Sequence, residues 1–136
     1  MAINNFVKRI QDVMRNDAGV NGDAQRIEQI VWILFLKIYD AKEELWEFHD
    51  DNYKSIIPEG LKWRDWAVDK KDGEALTGDA LLDFVNNTLF PTLKDLEIDE
   101  ETPMNQIIVK YAYKDANNYQ KDGVLLRQVV NIIDEI

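Results

Sequence analysis

Apolar residues recur at helical spacing along most of the chain. Near the N-terminus they are Ile3, Phe6, Val7, Ile10, Val13 and Met14, and near the C-terminus they are Leu125, Leu126, Val129, Ile132, Ile133 and Ile136. A period of three to four residues is typical of amphipathic helices, and no pair of segments has the alternation expected of strands. The pattern therefore predicts an all-α protein whose first helix starts close to the N-terminus.

The centre of the pattern is an uninterrupted apolar run over residues 30–36, which ends at Lys37. A helix that is apolar on all sides must be enclosed by other elements. A membrane span would need about 20 such residues, so this shorter run favours a core helix. We predict a central helix over about residues 23–48, capped by Asp23 and enclosed on every side by other helices.

Residues 49–78 lose the helical period. Pro58, Gly60 and Gly73 interrupt the stretch, and only the sequence WRDWAV within it has the composition of a short helix. Proline and glycine mark turns and loops more strongly than other residues do. We therefore expect an irregular segment here rather than one long element.

Capping residues predict the starts of three later helices. Thr77 or Asp79 can cap a helix that Pro91 breaks or kinks, because proline has no amide donor and crowds the preceding turn. Thr102 stands directly before a proline, which is a common start of a helix. The last helix is expected to begin near Asp122.

These elements together predict a compact bundle of five or six helices around a buried central helix. The 136 residues fit a single domain, covering 1–136, that can bury a core without disulfides or metals. The last helical pattern ends on apolar Ile136 without a polar cap or tail. We interpret the sequence as a fragment of a longer protein.

Composition excludes several kinds of chemistry. The chain has no cysteine, which rules out structural disulfides, thiolate zinc sites and cysteine nucleophiles, and is compatible with a reducing cytoplasm. The N-terminal helix lacks the basic and then apolar block of a secretory signal. We therefore expect a cytoplasmic protein that does not enter the membrane.

The charge is unevenly distributed. The formal net charge is -10, which disfavours an autonomous nucleic-acid-binding protein. Residues 1–70 carry 10 basic and 13 acidic side chains (net -3), whereas residues 71–136 carry 6 and 13 (net -7). Any surface that faces DNA is therefore expected in the first half of the chain.

No catalytic, cofactor-binding or metal-binding residue is predicted. The single histidine, His49, has acidic neighbours in sequence, but they lack the helical spacing that brings side chains to one ion. The acidic residues 97–101 lack the ligand spacing and central glycine of a calcium loop. No glycine-rich phosphate loop or nucleophile motif is present. The chain by itself is not expected to be a catalyst.

The segment IIPEGLKWRDWAVDKK, residues 56–71, has the composition most typical of a binding surface. It interleaves Trp63 and Trp66 with four basic side chains, Lys62, Arg64, Lys70 and Lys71. Such a mixture suits a nucleic-acid or protein contact. The alternative interpretation is that the tryptophans pin the segment to the core while the neighbouring charges stay in water. The two interpretations can apply to different faces.

The order of these features resembles the N-terminal helical domain of the modification (methyltransferase) subunit of type I restriction-modification enzymes. The residues that carry the resemblance are Leu34-Phe35-Leu36-Lys37, then Ile57-Pro58-Glu59-Gly60 and Leu61-Lys62-Trp63. The combination of LFLK with a PEG-x-x-W element some twenty residues later makes the resemblance specific. Nearly the whole chain has the family's layout.

The resemblance implies that the complete protein transfers a methyl group from S-adenosylmethionine to adenine N6 in a bipartite DNA site. In this family the glycine-containing cofactor motif and the Asn-Pro-Pro-aromatic catalytic motif belong to an α/β methyltransferase domain after the helical one. Neither motif occurs in these 136 residues. No catalytic residue is therefore transferred to this chain, and the α/β domain is expected after residue 136.

For the helical domain itself, the resemblance implies a DNA clamp that also packs against other subunits. The expected partners are a specificity subunit, a second methyltransferase subunit, a restriction subunit and double-stranded DNA. The candidate phosphate contacts, chosen from charge placement, are Lys62, Arg64, Lys70 and Lys71.

Two alternatives compete with the clamp. A free-standing, non-enzymatic helical adaptor that binds a protein partner would have the same all-α fold but would lack a catalytic domain after Ile136. A small acidic mimic of DNA would need acidic residues spread densely over one face. The basic residues scattered through the first half argue against a mimic.

Overall fold

The computed structural model describes residues 3–68 and 75–136. The helices are α1 (Ile3–Met14), α2 (Gly22–His49), the short α3 (Trp63–Trp66), α4 (Gly78–Phe84), α5 (Phe90–Lys94), α6 (Met104–Lys114) and α7 (Gly123–Asp134), with a π-helical turn at Val85–Leu89 between α4 and α5. No strand occurs among the described residues. The all-α prediction and the long central helix are confirmed, and so is the irregular segment over its described parts. Residues 69–74 of that segment lie outside the described residues.

The core lies along one side of α2. Trp32, Ile33 and Leu36 are buried, and Trp32 makes an edge contact of 4.8 Å between ring centroids with Phe90 of α5. The Tyr113 hydroxyl of α6 donates a hydrogen bond of 2.9 Å to the Trp32 carbonyl. Burial of large apolar side chains such as these is the main favourable contribution to folding. The bundle is thus organised around α2, as predicted.

The prediction that α2 is enclosed on every side is wrong. Val31, inside the apolar run, keeps 59% of its side chain exposed, and Ile38 keeps 49% exposed. Among the described residues, the other helices cover one side of α2, so the apolar run has one face in the core and one face in solvent. Periodicity detects both apolar faces, but it does not show whether the same chain covers both of them.

The first turns of α4 and α7 touch backbone to backbone. A Cβ built on Gly123 would lie 1.8 Å from the Gly78 carbonyl oxygen, so only glycine fits this crossing. The Asp122 side chain caps α7 by accepting hydrogen bonds from the amides of Val124 and Leu125, at 2.9 and 3.1 Å. The predicted start of the last helix is confirmed.

Two predicted caps are wrong. Helix α2 has Asn21 as its N-cap, and Asp23 lies in the first turn instead. The Asn21 amide donates to the Gln25 side chain at 2.7 Å, so a side chain from within α2 satisfies the backbone amide at its N-cap. Pro103 is the N-cap of α6, while the Thr102 hydroxyl closes a turn with Asp99. Local hydrogen bonding competes with capping for such side chains. Thr77 occupies the N-cap position of α4, but its side chain makes no capping hydrogen bond there.

Pro91 does not end the helix in which it lies. The chain continues from α4 through the π-helical turn into α5, where proline stands at an early position and the Asp95 amide bonds to the Pro91 carbonyl at 3.1 Å. The irregularity expected at proline takes the form of the wider turn just before it, since π turns accommodate a break in the regular hydrogen-bond ladder.

No helix within residues 3–68 and 75–136 has both the length and the apolar character that crossing a membrane requires.

Candidate nucleic-acid interface

The candidate interface is built on the connection between α2 and α3. Gly60 adopts a φ of +91°, a left-handed conformation that glycine tolerates best, and the Leu61 amide donates to the Pro58 carbonyl at 3.1 Å. The Asp65 carboxylate then accepts the amides of Gly60 and Lys62, at 3.0 and 3.2 Å. The PEG sequence is therefore a tight turn that one carboxylate fixes at the start of α3.

Both tryptophans of this segment are buried. Trp63 is 3% exposed and Trp66 is 6% exposed, and their ring centroids lie 5.6 Å apart. The Trp66 indole N–H donates to the Leu61 carbonyl at 3.1 Å. Neither ring is free to stack on a base, so the interpretation that the tryptophans pin the segment to the core is the correct one.

The carboxylate of Asp134, at the end of α7, joins the two segments that carry the family resemblance. It accepts the Trp63 indole N–H at 2.8 Å, and the Lys37 ammonium lies 3.5 Å from the same oxygen. Lys37 also donates to the Asp134 carbonyl at 2.6 Å. The lysine of LFLK and the tryptophan of LKW thus meet on one residue. Sequence reasoning missed Asp134, because nothing in its local pattern distinguishes it from an exposed acid.

Arg64 is held between two carboxylates of α2. Its guanidinium donates to Asp40 at 2.8 Å and to Glu47 at 2.9 Å. Burial alone would lower the pKa of Arg64, but the hydrogen bonds to Glu47 and Asp40 outweigh it and raise the pKa. The remaining nitrogen, Nη2, is shielded from solvent and has no hydrogen-bond partner among the described residues. A phosphate could reach it only if this cluster opened.

Lys62 lies beside the same cluster and is partly exposed. The pKa of Asp40 is raised by burial, with Arg64 and Lys62 acting against that rise. The pKa of Glu47 is lowered, first by its hydrogen bond with Arg64 and also by Lys62. Arg64 and Lys62 thus face three carboxylates, because Glu44 also acts on Asp40, so this part of the surface has no excess of positive charge. Excess positive charge in the segment must come from elsewhere.

Lys70 and Lys71 lie outside the described residues. The flanks of residues 69–74 are described, and both contact Arg127 of α7. The Arg127 guanidinium donates to the carbonyls of Ala67 and Trp66 before the gap and to the Leu76 carbonyl, at 3.2 Å, after it. Arg127 is a second residue that sequence reasoning missed, since its partners are carbonyls that have no sequence signature.

A buried polar cluster lies at the C-terminal half of α2. The Tyr53 hydroxyl donates to the fully buried Glu43 carboxylate at 2.7 Å, whose other oxygen has no hydrogen-bond partner in the described part of the chain. Burial, together with the hydrogen bond to Glu43, raises the pKa of Tyr53 to about 12. The hydrogen bond between Tyr53 and Glu43 holds the segment that follows α2 against that helix.

The other sites considered from sequence have simple surroundings. His49 is the exposed last residue of α2, and its ring contacts Phe48 edge to face. The Asp99 carboxylate accepts the Glu101 amide at 2.8 Å within its own turn. No group of three or more metal-ligating side chains comes together within residues 3–68 and 75–136.

The chain matches a known family and a curated protein. The family is described as the HsdM N-terminal domain, and the match covers residues 3–133. The type I restriction enzyme EcoEI methylase subunit of Escherichia coli is 51% identical over 136 residues, which are 100% of this chain and 27% of that protein. The chain therefore spans little more than a quarter of that relative.

Two solved structures share the fold. A modification subunit assigned to a type I restriction enzyme of Vibrio vulnificus YJ016 superposes with a TM-score of 0.87 at 32% identity, over 98% of this chain and 30% of that one. A chain from a structural study of complex assembly and conformational transition in the type I R-M system gives a TM-score of 0.78, also at 32% identity, over 98% of this chain and 26% of that one.

Proposed function

This chain belongs to the HsdM N-terminal domain family, and we propose that it acts as the DNA-clamp and subunit-assembly domain of a type I DNA adenine-N6 methyltransferase subunit. The observation that carries the proposal is the family match over residues 3–133. The contacts of Lys37 and Trp63 with Asp134 support it, because they give the residues of the family resemblance a shared structural role. The free-standing adaptor receives no support from the matched proteins.

The chemistry would belong to the complete subunit. The Escherichia coli relative is a methylase subunit of which this chain spans 27%, so a methyltransferase domain of α/β type is proposed after residue 136. S-adenosylmethionine would supply the methyl group there. The proposed partners are a specificity subunit, a second methyltransferase subunit, a restriction subunit and double-stranded DNA, in the cytoplasm.

The proposed role in DNA binding is closure around the duplex. Methylation of adenine N6 requires the base to leave the stack, which costs a few kcal/mol, and a clamp would hold the distorted duplex during the reaction. Lys62, Lys70 and Lys71 are the proposed phosphate contacts. Arg64 stays a weaker candidate, because its guanidinium is already paired with two carboxylates.

The DNA role is tested by charge reversal in the assembled complex. The double variant Lys70→Glu, Lys71→Glu is expected to weaken DNA binding and to reduce the slope of log K against log salt by about 1.8, since each lost phosphate contact removes about 0.9. Matched variants at two exposed lysines elsewhere, Lys114→Glu and Lys121→Glu, control for the change in net charge. An unchanged slope in the double variant would remove these lysines from the proposal.

The domain proposal is tested by the native gene. An open reading frame beyond the codon for Ile136, with a glycine-containing cofactor motif and an Asn-Pro-Pro-aromatic motif, is the expected result. A stop codon at that point would overturn the methyltransferase assignment and leave the helical adaptor.

A further inference from the structure

An exposed apolar stripe runs along the side of α2 that faces away from the core. Its members succeed one another at alternating intervals of four and three residues, which places them on one face of the helix. They are Ile27, Val31, Leu34, Ile38, Ala41 and Leu45. We refer to these six residues as the α2 stripe.

The α2 stripe is largely open to solvent, although Leu34 within it is half-buried and packs against the core. Ile27 and Leu45, near its two ends, are 56% and 59% exposed, and Val31 and Ile38 between them are also exposed. At 1.5 Å per residue the stripe is about 27 Å long. A continuous apolar surface of this kind marks an interaction site more often than scattered apolar residues do.

The spacing of the stripe indicates the shape of its partner. Apolar residues at alternating intervals of four and three form the seam along which two α-helices pack with interdigitated side chains. A groove of about 240 Å³ opens along the seam between Ile38 and Leu45, and Lys37 and Lys42 border it. A second amphipathic helix, lying along α2, fits this surface better than a loop or a strand would.

The end of α7 lies at the same groove. The Lys37 ammonium of α2 donates a hydrogen bond of 2.6 Å to the Asp134 carbonyl. Ile136 lines the groove beside Leu34 and Ile38. The Escherichia coli relative extends well beyond the part that matches this chain, which is 27% of its length, and the family is an N-terminal domain. A chain that continues from Ile136 would therefore start beside the α2 stripe.

We propose that the α2 stripe is the docking surface for an amphipathic α-helix from the part of the same subunit beyond Ile136. The helix would bury the outward face of the apolar run over residues 30–36, and it would fix the orientation of the helical domain relative to the rest of the subunit. The inference rests on the proposed continuation of the subunit beyond Ile136 and does not depend on the proposed DNA contacts.

Photo-crosslinking in the full-length subunit tests this proposal. A benzoylphenylalanine replaces Ile38 in one variant and Ile108 of α6 in another, which is a matched control because the two side chains are 49% and 44% exposed. Cross-linked peptides are identified by mass spectrometry in an equal mixture of isotope-labelled and unlabelled subunits. The expected result is a cross-link from position 38 to a helical peptide after residue 136 of the same chain, and none to that peptide from position 108.

Three results would overturn the proposal. The first is a mixed-isotope cross-link from position 38, which would identify a second copy. The others are cross-links only to another subunit of the complex, and equal yields from positions 38 and 108.

A further variant tests the seam itself. With the probe at Leu45, Val31→Glu is expected to abolish the intramolecular cross-link, whereas Ile108→Glu is expected to leave it intact. A cross-link that survives Val31→Glu would exclude packing along the stripe. DNA binding is measured separately, so failure here leaves the clamp proposal standing.

Discussion

Asp134 is the residue on which the two segments of the family resemblance converge, and its removal should be costly. In Asp134→Ala the buried Trp63 indole N–H loses its acceptor at 2.8 Å, and Lys37 loses a carboxylate while keeping the backbone carbonyl. A buried donor left without a partner costs about 1–3 kcal/mol. We expect the free energy of unfolding, measured by urea denaturation, to fall by that amount.

The neighbouring acid provides the control. Glu135 is paired with Arg9 across an exposed ion pair, and pairs of this kind contribute little. Glu135→Ala should therefore leave the midpoint of unfolding nearly unchanged. Equal effects of the Glu135 and Asp134 variants would show that the Trp63 hydrogen bond does not stabilise the segment.

Tyr53 should make stability depend on alkaline pH. Its pKa is raised from the ordinary 10 to about 12 by burial and by the carboxylate of Glu43. The neutral phenol is therefore favoured in the folded state, and its contribution is complete below pH 10 and is lost as the pH rises through 12. Tyr39 and Tyr113, whose pKa values are also raised, act in the same direction.

The variant Tyr53→Phe isolates the share of this one residue. At neutral pH it leaves the buried Glu43 carboxylate without its hydrogen bond, which should cost about 1–3 kcal/mol. Between pH 10 and pH 12 the variant should lose less stability than the unmodified chain does. Denaturation curves at several pH values measure both effects, and identical pH dependence in the two proteins would contradict the role of Tyr53.

Sequence could nominate individual residues but not their partners. Lys62 and Arg64 were identified from charge alone, and the structure shows that Arg64 bonds to Asp40 and Glu47, which lie 24 and 17 positions away. Asp134 lies 71 positions from Trp63. A single sequence records composition and local spacing, whereas contacts of this range depend on how the helices cross. The anchoring roles therefore became visible only in the folded chain.

At the scale of elements, sequence predicted the helices well and their surroundings less well. The predicted central helix, about residues 23–48, differs from Gly22–His49 by one residue at each end. Its burial was predicted on all sides, and the structure shows one open face. An apolar face has the same sequence whether its own domain or another part of the subunit covers it, so the pattern could not make this distinction.

The crossing of α4 and α7 offers a test at this scale. In Gly123→Ala the new Cβ would clash with the backbone of Gly78, at 1.8 Å from the carbonyl oxygen and 2.3 Å from the carbonyl carbon. Backbone atoms cannot move aside as a flexible side chain can, so the two helices must separate. We expect a loss of about 1–3 kcal/mol in the free energy of unfolding, the range for overpacked cores.

The adjacent position is a suitable control for this variant. Val124 comes directly after Gly123 in the same helical turn but is 52% exposed. Val124→Ala should change stability little, because an exposed side chain loses little burial. If Gly123→Ala were tolerated as well as Val124→Ala, the close approach of α4 and α7 would be disproved. Thermal denaturation monitored by circular dichroism is sufficient to compare the two.

At the scale of the whole molecule, the net charge of -10 and the carboxylates that surround Arg64 act in the same direction. A net charge of this sign disfavours DNA binding by the domain alone, because phosphate binding depends on neutralising lysines and arginines. The clamp that we propose would therefore depend on the rest of its subunit and on the complex for most of its affinity.

Lys62 and Arg64 allow stability and DNA binding to be separated in that complex. Arg64→Ala leaves Asp40 buried without its cation, and we expect a loss of about 2 kcal/mol, below the 3–5 kcal/mol of fully buried pairs because the guanidinium is partly exposed. Lys62→Ala removes a partly exposed ammonium and no hydrogen bond between described side chains, so stability should hardly change. If Lys62 contacts phosphate, Lys62→Ala should reduce the salt slope of DNA binding by about 0.9. The main effect of Arg64→Ala should be on stability and not on the salt slope. Urea denaturation and salt titration of both variants measure the two quantities. The opposite pattern, a stable Arg64→Ala with a reduced salt slope and an unaffected Lys62→Ala, would make Arg64 the DNA contact and would require its pairs with Asp40 and Glu47 to open when DNA binds.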